Sequence, residues 1–208
     1  MTWEKLAELT PSEIMEKSLW PAGFLPLPHP HHEEGGMIFP NFLIDETTKQ
    51  TDRDLTRFDL DFQGLKVTGL TVDHVRAAHR RQGQELVVTP KRALRKGERF
   101  QITVTYTGTP GPVTDPDGSL DGWIPTDDGA FVAGEPQGAM TWFPANNHPL
   151  DKSSYDFTIT VPAGRAAVAN GVLVGQRTAH GTTTYRWRQQ EPMAAYLATA
   201  TIGKFDVQ

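Results

Sequence analysis

The chain has 208 residues, of which 20 are Lys or Arg and 25 are Asp or Glu, so its formal net charge is -5. This acidic balance excludes a general attraction to nucleic-acid phosphates, and we expect no nucleic-acid partner. The absence of cysteine excludes disulfides, thiol nucleophiles and thiolate metal ligands, while 19 Gly and 16 Pro predict many turns and exclude a long helical bundle.

The amino terminus and the hydropathy of the chain favour a cytoplasmic location. The first residues carry mixed charge and lack the basic start and apolar core of a secretory signal. A membrane-spanning helix needs roughly 20 apolar residues, and the apolar run from Pro192 to Ala200 is too short for that. We therefore expect a cytoplasmic protein without a membrane partner.

Residues 1–51 are predicted to form an amino-terminal arm, separate from a main domain over residues 52–208. The run from Thr10 to Glu13 combines a capping threonine, a proline at the first helical position and a glutamate three residues after the cap. This combination predicts a short helix that ends at about Leu19. Five prolines and three glycines between residues 21 and 40 then predict a loop without regular structure.

A cluster of candidate metal ligands lies within this arm and consists of His29, His31, His32 and Glu33. Imidazole and carboxylate groups are good zinc ligands, so a metal-binding protein is one hypothesis. The surrounding prolines and glycines predict an unsupported loop, which does not hold ligands in a tetrahedron. The alternative is a solvated loop that binds metal only adventitiously.

The main domain shows the period-two pattern of half-buried β-strands. Phe58, Leu60 and Phe62 alternate with aspartates, as a strand with one buried face requires. Further strand-like stretches lie at residues 65–75, 85–89, 100–106, 155–161, 166–174, 182–188 and 195–202. Residues 113–129 are predicted to be turn-rich. Strands at such spacing with little helix between them predict a mainly β fold, an antiparallel sandwich or saddle.

The segment from Gly134 to Phe157 is the most informative part of the main domain. Glu135 precedes Pro136, which holds it in an extended conformation. A bulky Trp-Phe-Pro run follows at residues 142–144, and then a polar Asn-Asn-His-Pro turn. On these residues alone, the segment is predicted to be a loop packed by its Trp and Phe side chains.

The sequence here resembles the aminopeptidase N family of zinc metallopeptidases, in the form common among actinobacterial members. The resemblance covers about residues 52–208. Its clearest pieces are Phe131–Pro136, Trp142–Pro144, Asn147–Lys152 and the strand at residues 155–161. Residues 55–65 and 85–90 are similar to early strands of the family, and residues 203–205 resemble the close of its amino-terminal domain.

The resemblance implies a role for Glu135 in binding substrate. In that family a β-rich saddle covers one side of the zinc site in the catalytic domain that follows, and the family hydrolyses residues from peptide amino termini. An acid or glutamine eight positions before the Phe of the Phe-Pro pair binds the free α-amino group, and Glu135 has this spacing to Phe143. Glu135 is therefore the expected α-amino anchor, with Pro136 and Gln137 beside it in the substrate-binding segment.

The remaining family residues are expected to form a structural motif around this loop: Trp142, Phe143, Pro144, Asn147, His148, Pro149 and Lys152. Two positions depart from the family pattern. Ala145 stands where a cysteine is usual, and Asn147 stands where an aspartate is usual. We therefore expect the loop to be supported differently here.

No H-E-x-x-H motif, which places two zinc-binding histidines one helical turn apart, occurs in the sequence. The stretch from His32 to Gly36 begins this pattern but ends in glycine. We therefore expect no cofactor in this chain, with zinc in a catalytic domain that is absent from it. The expected partners are that catalytic domain and peptide amino termini, and the chain is interpreted as a truncated amino-terminal domain, inert alone.

One rival hypothesis is a non-catalytic β-sandwich adaptor, in which exposed Trp123, Trp142 and Trp187 contact a partner. The second rival is the metal-binding protein described above. The two strands that open the domain in the resembling family are not recognisable in residues 1–50. Residues 55–62 are therefore also expected to form an exposed sheet edge that is prone to association.

Overall fold

Antiparallel strands make up most of the described chain. The computed structural model describes residues 22–23, 41–45, 53–115 and 117–205. The predicted helix that ends near Leu19 and the candidate metal ligands His29, His31, His32 and Glu33 lie outside these residues. The prediction of a mainly β, antiparallel fold is confirmed.

The described residues form sixteen strands and two short 3-10 turns. The strands are β1 Ala22–Gly23, β2 Asn41–Asp45, β3 Phe58–Asp61, β4 Lys66–Val72, β5 Val75–Arg76, β6 Ala78–Gln82, β7 Glu85–Thr89, β8 Ile102–Thr107, β9 Pro112–Thr114, β10 Leu120–Pro125, β11 Ala130–Ala133, β12 Lys152–Pro162, β13 Ala166–Ala169, β14 Val172–Ala179, β15 Thr182–Ala194 and β16 Ala200–Gly203. The turns span Gly138–Thr141 and Ala195–Leu197.

These strands pair into four sheets. The strand orders are β1-β8-β4-β5, β13-β16-β11-β10-β9, β14-β15-β12-β2 and β3-β7-β6. Among the described strands only β1 and β8 pair in parallel. Strand β11 lies between β16 and β10 in the five-stranded sheet, and the loop that carries Glu135 follows β11.

Strand β12 shows why the alternating sequence folds in this way. Its odd-numbered residues from Tyr155 to Val161 are buried, whereas the residues between them are half-buried. The ring of Phe157 stacks on that of Tyr155, with centroids 5.6 Å apart and planes 5° apart. It also stacks on Trp142, at 6.3 Å and 15°. The core therefore joins β12 to the loop segment that precedes it.

Two predictions of local structure are wrong. Residues 113–129, predicted to be turn-rich, include strand β10, which pairs with β9 on one side and with β11 on the other. Residues 195–202, predicted to be a strand, begin with a 3-10 turn, and pairing is confined to β16. In both places the neighbouring strands, rather than the local pattern, decide the conformation.

Two short strands also lie within the predicted amino-terminal arm, and β1 falls in the stretch predicted to lack regular structure. Strand β1 pairs with β8, and β2 pairs with β12 in antiparallel register from Asn41 opposite Thr160 to Asp45 opposite Asp156. The sheet around β12 therefore extends into the predicted arm, at residues that follow the stretch predicted to be irregular. The boundary between arm and domain at residue 52 stays a prediction.

Strand β3 lies at the edge of its described sheet, as the sequence predicted for residues 55–62. Leu55, Phe58, Leu60 and Phe62 are almost fully buried. An isolated antiparallel bridge from Asp61 to Ala145 pairs part of the free edge. The expected tendency of this edge to associate stays a prediction.

The described ranges contain no helix with the length and apolar character needed to cross a bilayer. The cytoplasmic location therefore stays a prediction of the sequence.

We expect Phe157→Ala to lower the free energy of unfolding by about 3–5 kcal/mol, because it removes a buried ring from the aromatic cluster. Val172→Ala is the control, since Val172 is 63% exposed, and a change within about 0.5 kcal/mol is expected. Urea unfolding followed by tryptophan fluorescence measures both. A loss below about 1 kcal/mol for Phe157→Ala would show that this ring is not central to the core.

Candidate functional site

Glu135 lies on a short loop that closes on itself. The loop starts at Gly134 after β11, and the N–H of Gly138 donates to the carbonyl of Gly134 at 2.9 Å. The peptide bond between Glu135 and Pro136 is cis. Within this loop the side chain of Glu135 is exposed, whereas Pro136 and Gln137 are half-buried. The loop thus presents one acid to solvent.

The two glycines of the loop are required by close packing. A Cβ atom at Gly134 would lie 2.2 Å from the carbonyl oxygen of Tyr196. A Cβ atom at Gly138 would lie 2.4 Å from Oδ1 of Asp121 and 2.5 Å from the backbone nitrogen of Gly122. Both ends of the loop are therefore pressed against neighbouring parts of the domain, which restricts the motion of the residues between them.

Asn147 supports the middle of the loop. Its Nδ2 donates to the carbonyl of Pro136 at 3.0 Å, and its own backbone N–H donates to Oδ2 of Asp61 at 3.1 Å. Asp61 is 4% exposed. An aspartate at position 147 would have no side-chain N–H to donate. The asparagine at this position thus has a structural consequence, because its side-chain amide holds the loop while its backbone N–H bonds strand β3.

The Trp-Phe-Pro motif forms the base of the site. Trp142 and Phe143 are buried, with their ring centroids 4.6 Å apart in an edge-to-face contact. The hydroxyl of Tyr106 donates to the carbonyl of Trp142 at 2.7 Å. Burial raises the pKa of Tyr106, which keeps this donor protonated. The prediction that the two rings pack the loop is confirmed.

The adaptor hypothesis loses most of its proposed surface. That hypothesis requires three exposed tryptophans, but Trp123 is only 2% exposed and Trp142 is fully buried. Trp187 is half-buried, and its Nε1 donates to the carbonyl of Ala167 at 2.9 Å. Trp123 and Trp142 are therefore packed inside the fold, and Trp187 is partly covered.

The Asn-Asn-His-Pro turn is held together by its own polar groups. Nδ1 of His148 accepts a hydrogen bond from the backbone N–H of Leu150 at 3.1 Å, and the ring is buried. Nδ2 of Asn146 donates to Oδ2 of Asp151 at 2.9 Å. Pro149 is half-buried and Lys152, at the start of β12, is exposed. His148 thus stabilises the turn.

Two acids that the sequence did not single out also contact the loop. Asp121, on β10, is 1% exposed and accepts a hydrogen bond from the backbone N–H of Gln137 at 3.0 Å. Asp115 accepts one from Nε2 of Gln137 at 2.6 Å. Both acids lie in the stretch predicted to be turn-rich, where aspartate is a common turn residue. No local sequence pattern distinguishes these two acids from ordinary turn aspartates.

A surface cavity of about 410 Å³ also occurs among the described residues, next to β6. Arg81 lines it, and its guanidinium group donates to the carbonyls of Phe62 and Leu65. The same group lies 4.4 Å from the centre of the Phe62 ring. Arg81 is therefore engaged in holding the turn between β3 and β4.

The described residues do not fit a zinc ion. No group of three or more His, Asp or Glu side chains within them is arranged to hold a metal. The amino-acid sequence also contains no H-E-x-x-H motif. The candidate ligands His29, His31, His32 and Glu33 lie outside the described ranges, so a metal site there stays a prediction.

The β-rich fold and the Trp-Phe-Pro segment agree with the family comparison. The family model of the peptidase M1 N-terminal domain matches residues 55–197, which is more than half of the chain. The chain therefore belongs to this family, and its resemblance to zinc metallopeptidases is confirmed.

Solved structures of M1 zinc metallopeptidases are similar to the chain. A two-domain mutant enzyme bound to L-arginine is 28% identical with a TM-score of 0.73, over 79% of this chain and 38% of that one. A mutant from Deinococcus radiodurans bound to a Tyr-Ser-Ala substrate is 28% identical with a TM-score of 0.72, at the same coverage. A two-domain mutant bound to L-tryptophan is 25% identical with a TM-score of 0.73, over 91% of this chain and 45% of that one.

The chain thus spans less than half the length of each of these structures. No curated protein matches its sequence significantly.

We expect Gly138→Ala to destabilise the domain by about 1–3 kcal/mol, because the new methyl group would overlap the backbone of β10. Gly111→Ala is a matched control, since a Cβ atom there meets nothing within 4 Å. Its unfolding free energy should change by less than about 1 kcal/mol. Equal stabilities of the two variants in urea unfolding would show that the loop is not closely packed.

Proposed function

We propose that the chain is the amino-terminal domain of a zinc aminopeptidase and supplies Glu135 to bind the α-ammonium group of a peptide substrate. The observation that carries this proposal is an exposed carboxylate on a loop fixed at both ends. The eight-residue spacing from Glu135 to Phe143 within a confirmed family member supports the same role.

The physical requirement of an exopeptidase fits this arrangement. A free amino terminus differs from an internal peptide bond by its positive charge, and a carboxylate pairs with that charge in a charge-assisted hydrogen bond. A fixed carboxylate also sets the distance from the amino terminus to the bond that is cleaved. A mobile acid would bind the same charge without fixing that distance.

The ties around Glu135 supply this rigidity. Pro136 follows it directly and is held through its carbonyl by Asn147. Gln137 is held through its backbone by Asp121 and through its side chain by Asp115. We infer that Pro136 and Gln137 contribute to substrate binding mainly by orienting Glu135.

A catalytic domain is the proposed partner of this loop. Two similar structures are described as two-domain enzymes, and another similar structure holds a Tyr-Ser-Ala substrate. The zinc ion that activates water in such enzymes would be held by that second domain, because the described residues do not fit it. In this proposal the chain binds and orients peptide amino termini, and it does not hydrolyse them alone.

In the peptidase formed with a catalytic domain, we expect Glu135→Ala to weaken cleavage of free-amino-terminus substrates by about 1.5–3 kcal/mol, the worth of a charge-assisted hydrogen bond. This equals a loss in kcat/KM of roughly ten- to 150-fold. Glu135→Gln should lose less, because its amide oxygen still accepts a hydrogen bond from the ammonium group.

Glu191→Ala, at an exposed glutamate of β15, is the matched control and should leave kcat/KM unchanged. The measurement compares a dipeptide substrate with its amino-acetylated form. An unchanged kcat/KM for Glu135→Ala with the free dipeptide would remove Glu135 from the substrate site.

A further inference from the structure

We propose that Asp121 is a positioning residue for Glu135 and acts through the backbone of Gln137. This inference rests on the proposed function of Glu135, but the geometry of Asp121 is independent of any substrate. Asp121 lies near the start of β10, a strand that the sequence pattern did not reveal.

The carboxylate of Asp121 joins two backbone segments. Its Oδ2 accepts a hydrogen bond from the N–H of Gln137 at 3.0 Å, and its Oδ1 accepts one from the N–H of Gly122 at 2.8 Å. Gln137 comes two residues after Glu135, and Gly122 belongs to β10. One buried side chain therefore fixes the distance between the loop and the sheet.

The hydroxyl of Thr141 makes a second connection between the loop and β10. Its Oγ1 accepts a hydrogen bond from the backbone N–H of Trp123 at 3.0 Å and donates one to the carbonyl of Gly138 at 2.7 Å. A Cβ atom at Gly122, whose φ angle is +89°, would lie 2.4 Å from this hydroxyl oxygen. Strand β10 and the turn after the loop are thus in direct contact, with no room for an additional side chain.

An ionised carboxylate is specifically suited to this position. Two N–H groups converge on Asp121, and both oxygens of a carboxylate accept hydrogen bonds. An asparagine presents only one acceptor, because its other terminal atom is itself a donor. The fold retains a buried acid here in spite of the cost of removing a charge from water.

The surroundings of Asp121 determine its titration. Burial raises its pKa, the N–H groups of Gln137 and Gly122 oppose that rise, and the negative charges of Asp115 and Glu135 add to it. Strand β11 and the turn Gly138–Thr141 bring no titratable side chain to it.

Acidification should therefore release the loop. As the pH falls through the raised pKa, the carboxyl group gains a proton and loses acceptor capacity toward the two N–H groups. The tie to Gln137 is then weakened at a pH where exposed aspartates are still ionised.

An NMR titration of the chain from pH 7 to pH 3 tests this tie without any substitution. We expect the amide protons of Gln137 and Gly122 to shift together, with a midpoint above 3.8, the ordinary value for an aspartate. The amide of Ser119 is an internal control, because it donates to Asp117, an exposed acid whose pKa is lowered.

The Ser119 amide should therefore titrate below 3.8. A Gln137 amide that does not titrate, or that titrates together with Ser119, would overturn the proposal.

Substitution tests the link to Glu135. In the peptidase formed with a catalytic domain, Asp121→Asn should lower kcat/KM for free-amino-terminus substrates several-fold. It should have little further effect when Glu135 is already alanine, because a positioning residue acts only through the group that it positions. Asp117→Asn, the same change at an exposed acid nearby, should leave kcat/KM unchanged.

An equal loss from Asp121→Asn in both backgrounds would show a general structural role and would overturn the proposal. If Glu135→Ala itself has no effect, the proposed function fails, whereas the titration still decides whether Asp121 holds the loop. If Asp121→Asn does not fold, the titration of the unaltered chain decides the inference.

Discussion

The burial of Trp142 is the interaction on which the rest of the site depends. Its ring is fully buried and stacks on Phe157 of β12, while its backbone carbonyl accepts a hydrogen bond from the hydroxyl of Tyr106. A buried tryptophan contributes about 3–5 kcal/mol, judged by the cost of its truncation. Because Trp142 directly follows the turn Gly138–Thr141, this burial fixes the turn and, through it, the end of the loop that carries Glu135.

The loop combines two devices that make a short, irregular segment rigid. Glycine occupies the positions where any Cβ atom would overlap backbone, at Gly134 and Gly138. Buried acids lie where backbone N–H groups would otherwise have no acceptor, at Asp61 and Asp121. Unsatisfied N–H groups are costly, so these acids stabilise one conformation of the loop. The result is a single exposed acid on a rigid support, which suits binding and orientation.

Those parts of the fold whose burial alternates along the chain could be predicted from the sequence. Strand β12 buries every second residue, and its period-two pattern is visible. Strand β6 is exposed along its whole length, so it has no apolar alternation. Strand β10 buries three consecutive residues from Asp121 to Trp123, two of which resemble turn residues. Both strands form because neighbouring strands pair with them, which no local window contains.

The sequence by itself determined the β-rich class, the family resemblance and the spacing that singles out Glu135, since these depend on the order of residues. Only the tertiary structure decided how the loop is held, because its supports are far apart in the chain. The hydrogen bond from Asn147 to Asp61 joins residues 86 positions apart. The tertiary structure also decided that Trp123 and Trp142 face the core. Hydrophobicity favours burial, but only the packing of the whole fold determines which aromatic rings the core encloses.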